Sequence, residues 1–104
     1  MGYKLFDQYS YLHFCVGVII YFLSIKIKDW IIIHCLFELL ENTPLGIEII
    51  NKYLTFWPGG KPRHDNILNI LGDNIAAVLG WYSAYYIDNI GIKYKWYEPH
   101  IKKF

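Results

Sequence analysis

The amino-acid sequence is poor in charged residues and in cysteine, and each shortage excludes a class of protein. Charged residues make up 18% of the 104 residues and the net charge is +1, so there is no basic field that would indicate nucleic-acid binding. Two cysteines cannot build a disulfide scaffold, and neither belongs to a C-x-x-C pair. Because hydrophobic residues reach 55%, intrinsic disorder is excluded as well.

Long apolar stretches and aromatic residues are abundant instead. Residues 9–27 contain no acidic residue and, apart from His13, no basic residue before Lys26. Their length is close to the roughly 20 residues of a bilayer-spanning helix. Lys26 and Lys28 follow where a signal peptide would have a small-residue cleavage site, so a retained helix is predicted. The aromatic content of 19% is typical of a membrane boundary.

Three further helices are predicted along the chain. Residues 29–41 form an apolar helix that is too short to cross a bilayer alone. It either kinks at Pro44 and continues, or ends there and is followed by an amphipathic interfacial helix over 45–56, and the second alternative is favoured. A helix over 65–88 is again long enough to span, and a basic aromatic tail occupies residues 92–104.

The predicted fold is therefore all-α, with residues 1–104 in a single membrane domain. We expect a small polytopic integral membrane protein with about three transmembrane helices plus one interfacial amphipathic helix. The positive-inside rule places the first lysine-bearing loop and the tail on the same side, which predicts an external amino terminus and a cytoplasmic carboxyl terminus.

The tail suggests a partner for the chain. Its cations could bind the anionic headgroups of a lipid bilayer, and the alternative is a topogenic anchor without further function. Protein neighbours in a membrane assembly are also expected, whereas nucleic acid is not. The lysines concerned are Lys93, Lys95, Lys102 and Lys103.

Polar side chains recur at helical spacing on three of the predicted helices. If neighbouring helices are antiparallel, these stripes meet at one membrane boundary and form a single site. Small residues on the last helix (Ala76, Ala77, Gly80 and Ala84) would let the second helix approach closely. The polar residues are Ser10 and His13 on the first helix, His34, Glu38, Glu41 and Asn42 on the second, and Asp65, Asn66, Asn69 and Asp73 on the last.

The clustered carboxylates indicate a divalent cation, because no Lys or Arg on the helices matches them. Oxygen ligands suit Mg²⁺, Mn²⁺ or Ca²⁺, and histidines also allow Zn²⁺. We assign metal ligation to Asp65, Asp73 and His13, and favour a packing role for the other histidines. Glu38 and Glu41 are the candidate catalytic bases, and the ligand-orienting groups are Asn42, Asn66, Asn69 and Ser10. The alternative is a hydrogen-bonded network that only packs the helices together.

The spacing of these residues resembles an uncharacterised family of small bacterial integral membrane proteins, abundant in alphaproteobacteria and distantly similar to VanZ-like proteins. The segments that carry the resemblance are Glu38-Leu-Leu-Glu-Asn-Thr-Pro44, Asp65-Asn-Ile-Leu-Asn-Ile-Leu-Gly-Asp73 and Ala77-Val-Leu-Gly-Trp81. The family pattern reads E-x-x-E-N-S-P and then D-S-x-x-N-S-x-x-D, so Thr43, Asn66 and Ile70 depart from it. The resemblance implies a membrane protein with a polar site and no established activity.

Two classes of function stay open at this point. The first is a membrane-embedded enzyme or binding protein that uses the acidic cluster, with a divalent cation, on a polar or lipid-linked ligand. The second is a structural or assembly subunit of a larger membrane complex or virion. Nine lysines against one arginine indicate an AT-rich genome, which fits a bacterium, an organelle or a large DNA virus.

Overall fold

The computed structural model describes residues 4–57, 60–61 and 64–98, and within them the chain is all-helical, as predicted. Four helices follow one another: α1 (Gln8–Phe22), α2 (Ile27–Glu41), α3 (Pro44–Tyr53) and α4 (Ile67–Lys93). Residues 1–3, 58–59, 62–63 and 99–104 lie outside the described residues, and so do the predictions made for them. They include Lys102 and Lys103 of the predicted lipid-binding tail.

Side-chain caps fix where three of the helices begin. Asp7 caps α1 and forms a capping box with Ser10, Thr43 caps α3 just before Pro44, and Asn66 caps α4. Each side-chain oxygen accepts a hydrogen bond from an amide that the first helical turn leaves unpaired. Each of these caps joins residues within a few positions of one another, so local sequence contributes to the helix boundaries.

Helix α1 lies along α4 in nearly direct backbone contact. A Cβ added at Gly17 would lie 2.1 Å from the Ala77 carbonyl oxygen, and one added at Gly80 would lie 1.9 Å from the Phe14 carbonyl oxygen. Only glycine permits such an approach. The small-residue stripe of α4 was predicted to receive α2, but it receives α1. Helix α2 runs in the opposite direction beside these two helices, and its Trp30 Nε1 donates to the Ala77 carbonyl at 3.1 Å.

An aromatic core closes the end of the bundle where α1 turns into α2. Tyr21, Trp30, Ala77, Trp81 and Ala84 form one buried cluster. The Trp81 indole donates to the Ile25 carbonyl at 2.9 Å and so ties the connection between α1 and α2 to α4. This end of the molecule holds the helices in register for the polar residues nearer the other end.

The prediction of an integral membrane protein with three transmembrane helices is wrong. Among the described residues, no helix is both long enough and apolar enough to cross a bilayer. Helix α1 has 15 residues because the chain leaves the helix after Phe22 and adopts a left-handed conformation at Ser24 (φ 62°). Helix α4 has 27 residues but carries buried polar groups such as Asp73 and Asp88 along its length. The predicted membrane orientation of the two termini depended on these transmembrane helices and is wrong as well.

The distribution of polarity in the bundle is unusual. Glu38, Asn69, Asp73 and Asp88 are at most 2% exposed, whereas charged residues are rarely buried in proteins unless they are paired. Many large apolar side chains, among them Leu40 at 66%, lie on the surface. The interior between the helices is therefore where polar chemistry is concentrated.

We expect Gly17→Ala and Gly80→Ala to destabilise the fold, because each added methyl group meets a backbone carbonyl that cannot move aside. Each substitution should lower the free energy of unfolding by about 1–3 kcal/mol in chemical denaturation. Ile87→Ala on the exposed side of α4 is the control and should change it by less than about 0.5 kcal/mol. Glycine variants as stable as this control would contradict the close contact between α1 and α4.

Candidate metal centre

Three helices each place polar side chains in one buried group, which we call the central cluster: Ser10 and His13 from α1, His34 and Glu38 from α2, and Asp73 from α4. His34 and Glu38 are four residues apart and therefore lie on the same face of α2. His34, Glu38 and Asp73 are each at most 3% exposed. The cluster thus joins the three helices away from solvent.

Two histidine nitrogens and one carboxylate oxygen converge in the cluster. His13 Nδ1 lies 2.8 Å from His34 Nε2 and 3.4 Å from Glu38 Oε1. His34 Nε2 lies 3.8 Å from the same Glu38 oxygen. These three atoms come from two different helices and form a small triangle, which is an arrangement that can hold a metal ion.

A neighbouring amide fixes the protonation of His34. The Asn74 side chain donates from Nδ2 to the Ile70 carbonyl at 3.0 Å, so its Oδ1 is the atom that faces His34 Nδ1 at 2.6 Å. Because an amide oxygen only accepts, Nδ1 of His34 carries the proton. His34 Nε2 consequently has a lone pair that points to His13 Nδ1, from which it can accept a hydrogen bond.

Asp73 supports the other histidine. Ser10 Oγ donates to Asp73 Oδ1 at 2.8 Å, and Asp73 Oδ2 lies 3.3 Å from His13 Nε2. A carboxylate at this position can accept a hydrogen bond from Nε2–H of His13, and in that tautomer Nδ1 is unprotonated. In the other tautomer Nδ1 donates to His34 Nε2. Both histidines therefore have a partner on the side of the ring that faces away from Glu38.

Burial leaves the central cluster poor in charge near neutral pH. Burial raises the pKa of Glu38 to about 9, with further contributions from the charges of Glu41 and Asp73, and it raises the pKa of Asp73 to about 7 although Ser10 opposes the change. Burial, together with the neighbouring His34, lowers the pKa of His13 to about 4. Burial also lowers the pKa of His34, although its hydrogen bond to Asn74 acts in the opposite direction.

Two carboxylate oxygens lack partners in this region. In the part of the chain that the structure describes, Glu38 Oε1 and Glu41 Oε2 are buried and accept no hydrogen bond. A buried acceptor without a donor costs roughly 1–3 kcal/mol. Both oxygens could therefore accept a further hydrogen bond or bind a cation.

Lys61 belongs to the candidate site, although the sequence did not reveal it. Its Nζ lies 2.7 Å from Asp65 Oδ2 and 3.2 Å from Glu41 Oε1, and Asn51 holds its backbone through two hydrogen bonds of 2.7 Å. Burial alone would lower the pKa of Lys61, but these two carboxylates outweigh it and raise the pKa. Burial raises the pKa of Glu41, with Lys61 opposing. Because Lys61 lies in an irregular Pro- and Gly-rich segment, no helical periodicity indicated its position.

The remaining predicted site residues have structural partners. Asn42 donates to the Glu38 carbonyl at 2.8 Å and accepts from the Asp65 amide at 2.7 Å, so it joins α2 to the start of α4. Asn69 donates to the Lys4 carbonyl at 2.8 Å, and Asn66 caps α4. Asn66 and Asn69 therefore position the helices and do not join the central cluster.

A cavity of about 560 Å³ opens above the cluster, a size typical of small-molecule sites. Its floor is polar and includes His13, His34, Glu41, Lys61 and Asp73. Its wall is apolar and is formed by side chains of α1, α2 and the segment after α3: Leu12, Val16, Ile19, Trp30, Ile33, Phe37, Phe56 and Trp57. Both histidines of the triangle thus line the cavity, whereas Glu38 lies behind them and is fully buried.

We expect the metal-free protein to lose stability as the pH rises from 7 to 9. Glu38 is protonated in the folded chain up to a pKa of about 9, compared with 4.5 for an ordinary glutamate, so its contribution to stability is complete below the lower value and is lost as the pH passes through the upper one. The slope should reach about 1.4 kcal/mol per pH unit. Glu38→Gln should remove this slope in urea denaturation measured with a chelator present. An equal slope in both proteins would contradict the burial of an isolated Glu38 carboxyl.

No family model, curated protein or solved structure matches the chain. The resemblance to a VanZ-like family therefore stays a prediction.

Proposed function

We propose that the chain binds a divalent transition-metal ion through His13 Nδ1, His34 Nε2 and Glu38 Oε1. The observation that carries this proposal is the convergence of the three atoms within 3.8 Å of one another, together with the absence of a hydrogen bond to Glu38 Oε1 among the described residues. A cation would neutralise that carboxylate and use its unpaired oxygen. His13 is thus a metal ligand, as the sequence predicted, and Glu38 is a ligand in place of its predicted role as a catalytic base.

Of the four cations that the sequence suggests, Zn²⁺ suits this set of ligands best. Imidazole nitrogens suit Zn²⁺, whereas Mg²⁺ and Ca²⁺ prefer oxygen ligands. For metal–ligand distances of about 2.0–2.1 Å, a tetrahedral site has ligand atoms roughly 3.3 Å apart, and the three observed separations of 2.8, 3.4 and 3.8 Å bracket that value. Three protein ligands leave a fourth position for water or a bound molecule.

The partners of both histidines support metal binding. Ligating histidines in proteins usually donate their second N–H to a carboxylate or carbonyl group, which sets the tautomer and orients the ring. Asn74 Oδ1 does this for His34, and Asp73 Oδ2 is placed to do it for His13. Asp73 is therefore a positioning residue in this proposal and not a ligand.

Asp65 is excluded from the proposed ligand set because another cation already pairs with it. Glu38, Asp65 and Asp73 also place carboxylate oxygens within 4.8 Å of one another. However, Lys61 Nζ lies 2.7 Å from Asp65 Oδ2, so a metal ion there would have to displace a buried ammonium group. Lys61 and the metal ion thus neutralise different carboxylates.

The metal proposal predicts that the chelator-treated full chain binds one Zn²⁺ in isothermal titration calorimetry. Co²⁺ should give the visible absorption of a four-coordinate site. His34→Gln and Glu38→Gln each remove a ligand and should weaken binding by more than the roughly 10–100-fold that is typical of losing an outer partner. His64→Gln is the matched control, since His64 is exposed and lies outside the cluster. Zn²⁺ binding that His34→Gln leaves unchanged would overturn the proposal.

The second candidate function is that of a structural subunit in a larger assembly. Apolar side chains of α2, such as Leu36 and Leu40, are exposed. They favour this function because large exposed apolar patches mark interaction surfaces. In that case the central cluster serves only as packing between helices. Asp73 would then contribute only through its contacts with Ser10 and His13.

Thermal unfolding of the wild type and of Asp73→Asn, each with and without Zn²⁺, separates these functions. If the cluster binds zinc, the ion should raise the melting temperature of the wild type, and Asp73→Asn should reduce that rise by weakening the support of His13. If it only packs helices, zinc should change the melting temperature of neither protein. A zinc-dependent rise that persists in Asp73→Asn would exclude the positioning role of Asp73.

A further inference from the structure

Lys61 holds its ammonium group where carboxyl groups of α2, of α4 and of the segment before α4 meet. Its Nζ lies 2.7 Å from Asp65 Oδ2 and 3.2 Å from Glu41 Oε1. Asp65 also belongs to a group with Glu38 and Asp73, in which one carboxylate oxygen from each residue lies within 4.8 Å of the others. Four carboxyl groups thus meet in this region, and Lys61 pairs with two of them.

The backbone of Lys61 is fixed by contacts that do not involve its charge. Asn51 of α3 donates from Nδ2 to the Lys61 carbonyl and accepts from the Lys61 amide, both at 2.7 Å. The Lys61 side chain is buried, so the backbone delivers a cation to the interior of the bundle. Truncation of this side chain would remove the cation and leave both backbone hydrogen bonds in place.

The carboxyl groups around the ammonium group have the chemistry of a site for an oxygen-preferring cation. Mg²⁺ and Mn²⁺ favour carboxylate ligands. Glu41 is 6% exposed, and its Oε2 accepts no hydrogen bond among the described residues. A divalent ion in place of the ammonium group would therefore find a buried carboxylate oxygen that no described group uses.

Glu38 connects this region to the proposed zinc site. It contributes an oxygen both to the group of zinc ligands and to the group with Asp65 and Asp73. In the two-metal sites of enzymes, the ions lie side by side at roughly 3.5–4 Å. The arrangement therefore matches a two-metal site in which an ammonium group holds the second cation position.

We propose that Lys61 determines the metal content of the chain. Its ammonium group occupies the second cation position, so the site holds one zinc ion and the carboxylates exclude Mg²⁺ and Mn²⁺. Lys61 is thus a specificity-determining residue and not a metal ligand. This inference rests on the proposed zinc site for the first ion and adds what keeps a second ion out.

Removal of the ammonium group tests the inference. Zinc-loaded wild type and Lys61→Ala are titrated with Mn²⁺, and the loss of free Mn²⁺ is followed by electron paramagnetic resonance. Mn²⁺ should not displace the zinc, because it is the weaker-binding ion at a given site. The wild type should bind no Mn²⁺, whereas Lys61→Ala should bind one ion per chain. Since Glu41, Lys61 and Asp65 line the cavity, the space that the substitution vacates opens into it.

Lys52→Ala is the matched control, because Lys52 is an exposed lysine of α3, and it should behave as the wild type does. Mn²⁺ binding by the wild type or by Lys52→Ala, or the absence of Mn²⁺ binding in Lys61→Ala, would overturn the inference. In the last case, Lys61 only neutralises two buried carboxylates. Absence of zinc binding in the wild type would instead reject the proposed function.

A double variant locates the second ion. Asp65→Asn in the Lys61→Ala background removes an oxygen ligand that the proposed zinc ion does not use, so it should abolish Mn²⁺ binding and preserve the zinc stoichiometry. Mn²⁺ binding that survives this change would overturn the assigned position. If Lys61→Ala does not fold in the absence of Mn²⁺, addition of the ion should restore the folded chain, because the ion replaces the lost charge. Failure of this rescue would also overturn the inference.

Discussion

The contact between the backbones of α1 and α4 is the constraint on which the other features of the bundle depend. Gly17 and Gly80 remove the side chains that would hold the two helices apart. At this short separation, Ser10 reaches Asp73 directly and His13 comes within 3.3 Å of the same carboxylate. A wider spacing between the helices would break both contacts and leave Asp73 buried without partners.

The buried carboxylates are a consequence of this packing, and two different cations can compensate for them. Lys61 from the segment between α3 and α4 pairs with Glu41 and Asp65. Glu38 has no such ammonium group, and burial keeps it protonated up to a pKa of about 9. In our proposal a metal ion takes the place of that proton, since ligands must be deprotonated to bind a metal. The stability of the bundle and its ligand chemistry are thereby linked through one side chain.

The sequence predicted much of the composition of the site and little of its detailed arrangement. Helical spacing alone placed His34 and Glu38 on one face of α2, and the same argument indicated that Asp73 shares a face with Asn69. Asn69 and Asp73 nevertheless have different roles, because they contact different segments of the chain. Asn69 contacts the Lys4 carbonyl before α1, whereas Asp73 contacts Ser10 and His13 inside the bundle.

What the sequence determined by itself is local: the all-helical character, the caps at Asp7, Thr43 and Asn66, and the faces on which polar residues recur. These properties depend on residues within a few positions of one another, so periodicity and capping patterns record them. Only the tertiary structure decided that α1 ends at Phe22 and that Lys61 is brought to Glu41 and Asp65. A periodic pattern shows which residues share a face of a helix, but it does not specify which element covers that face. That choice is made by packing between segments distant in the chain.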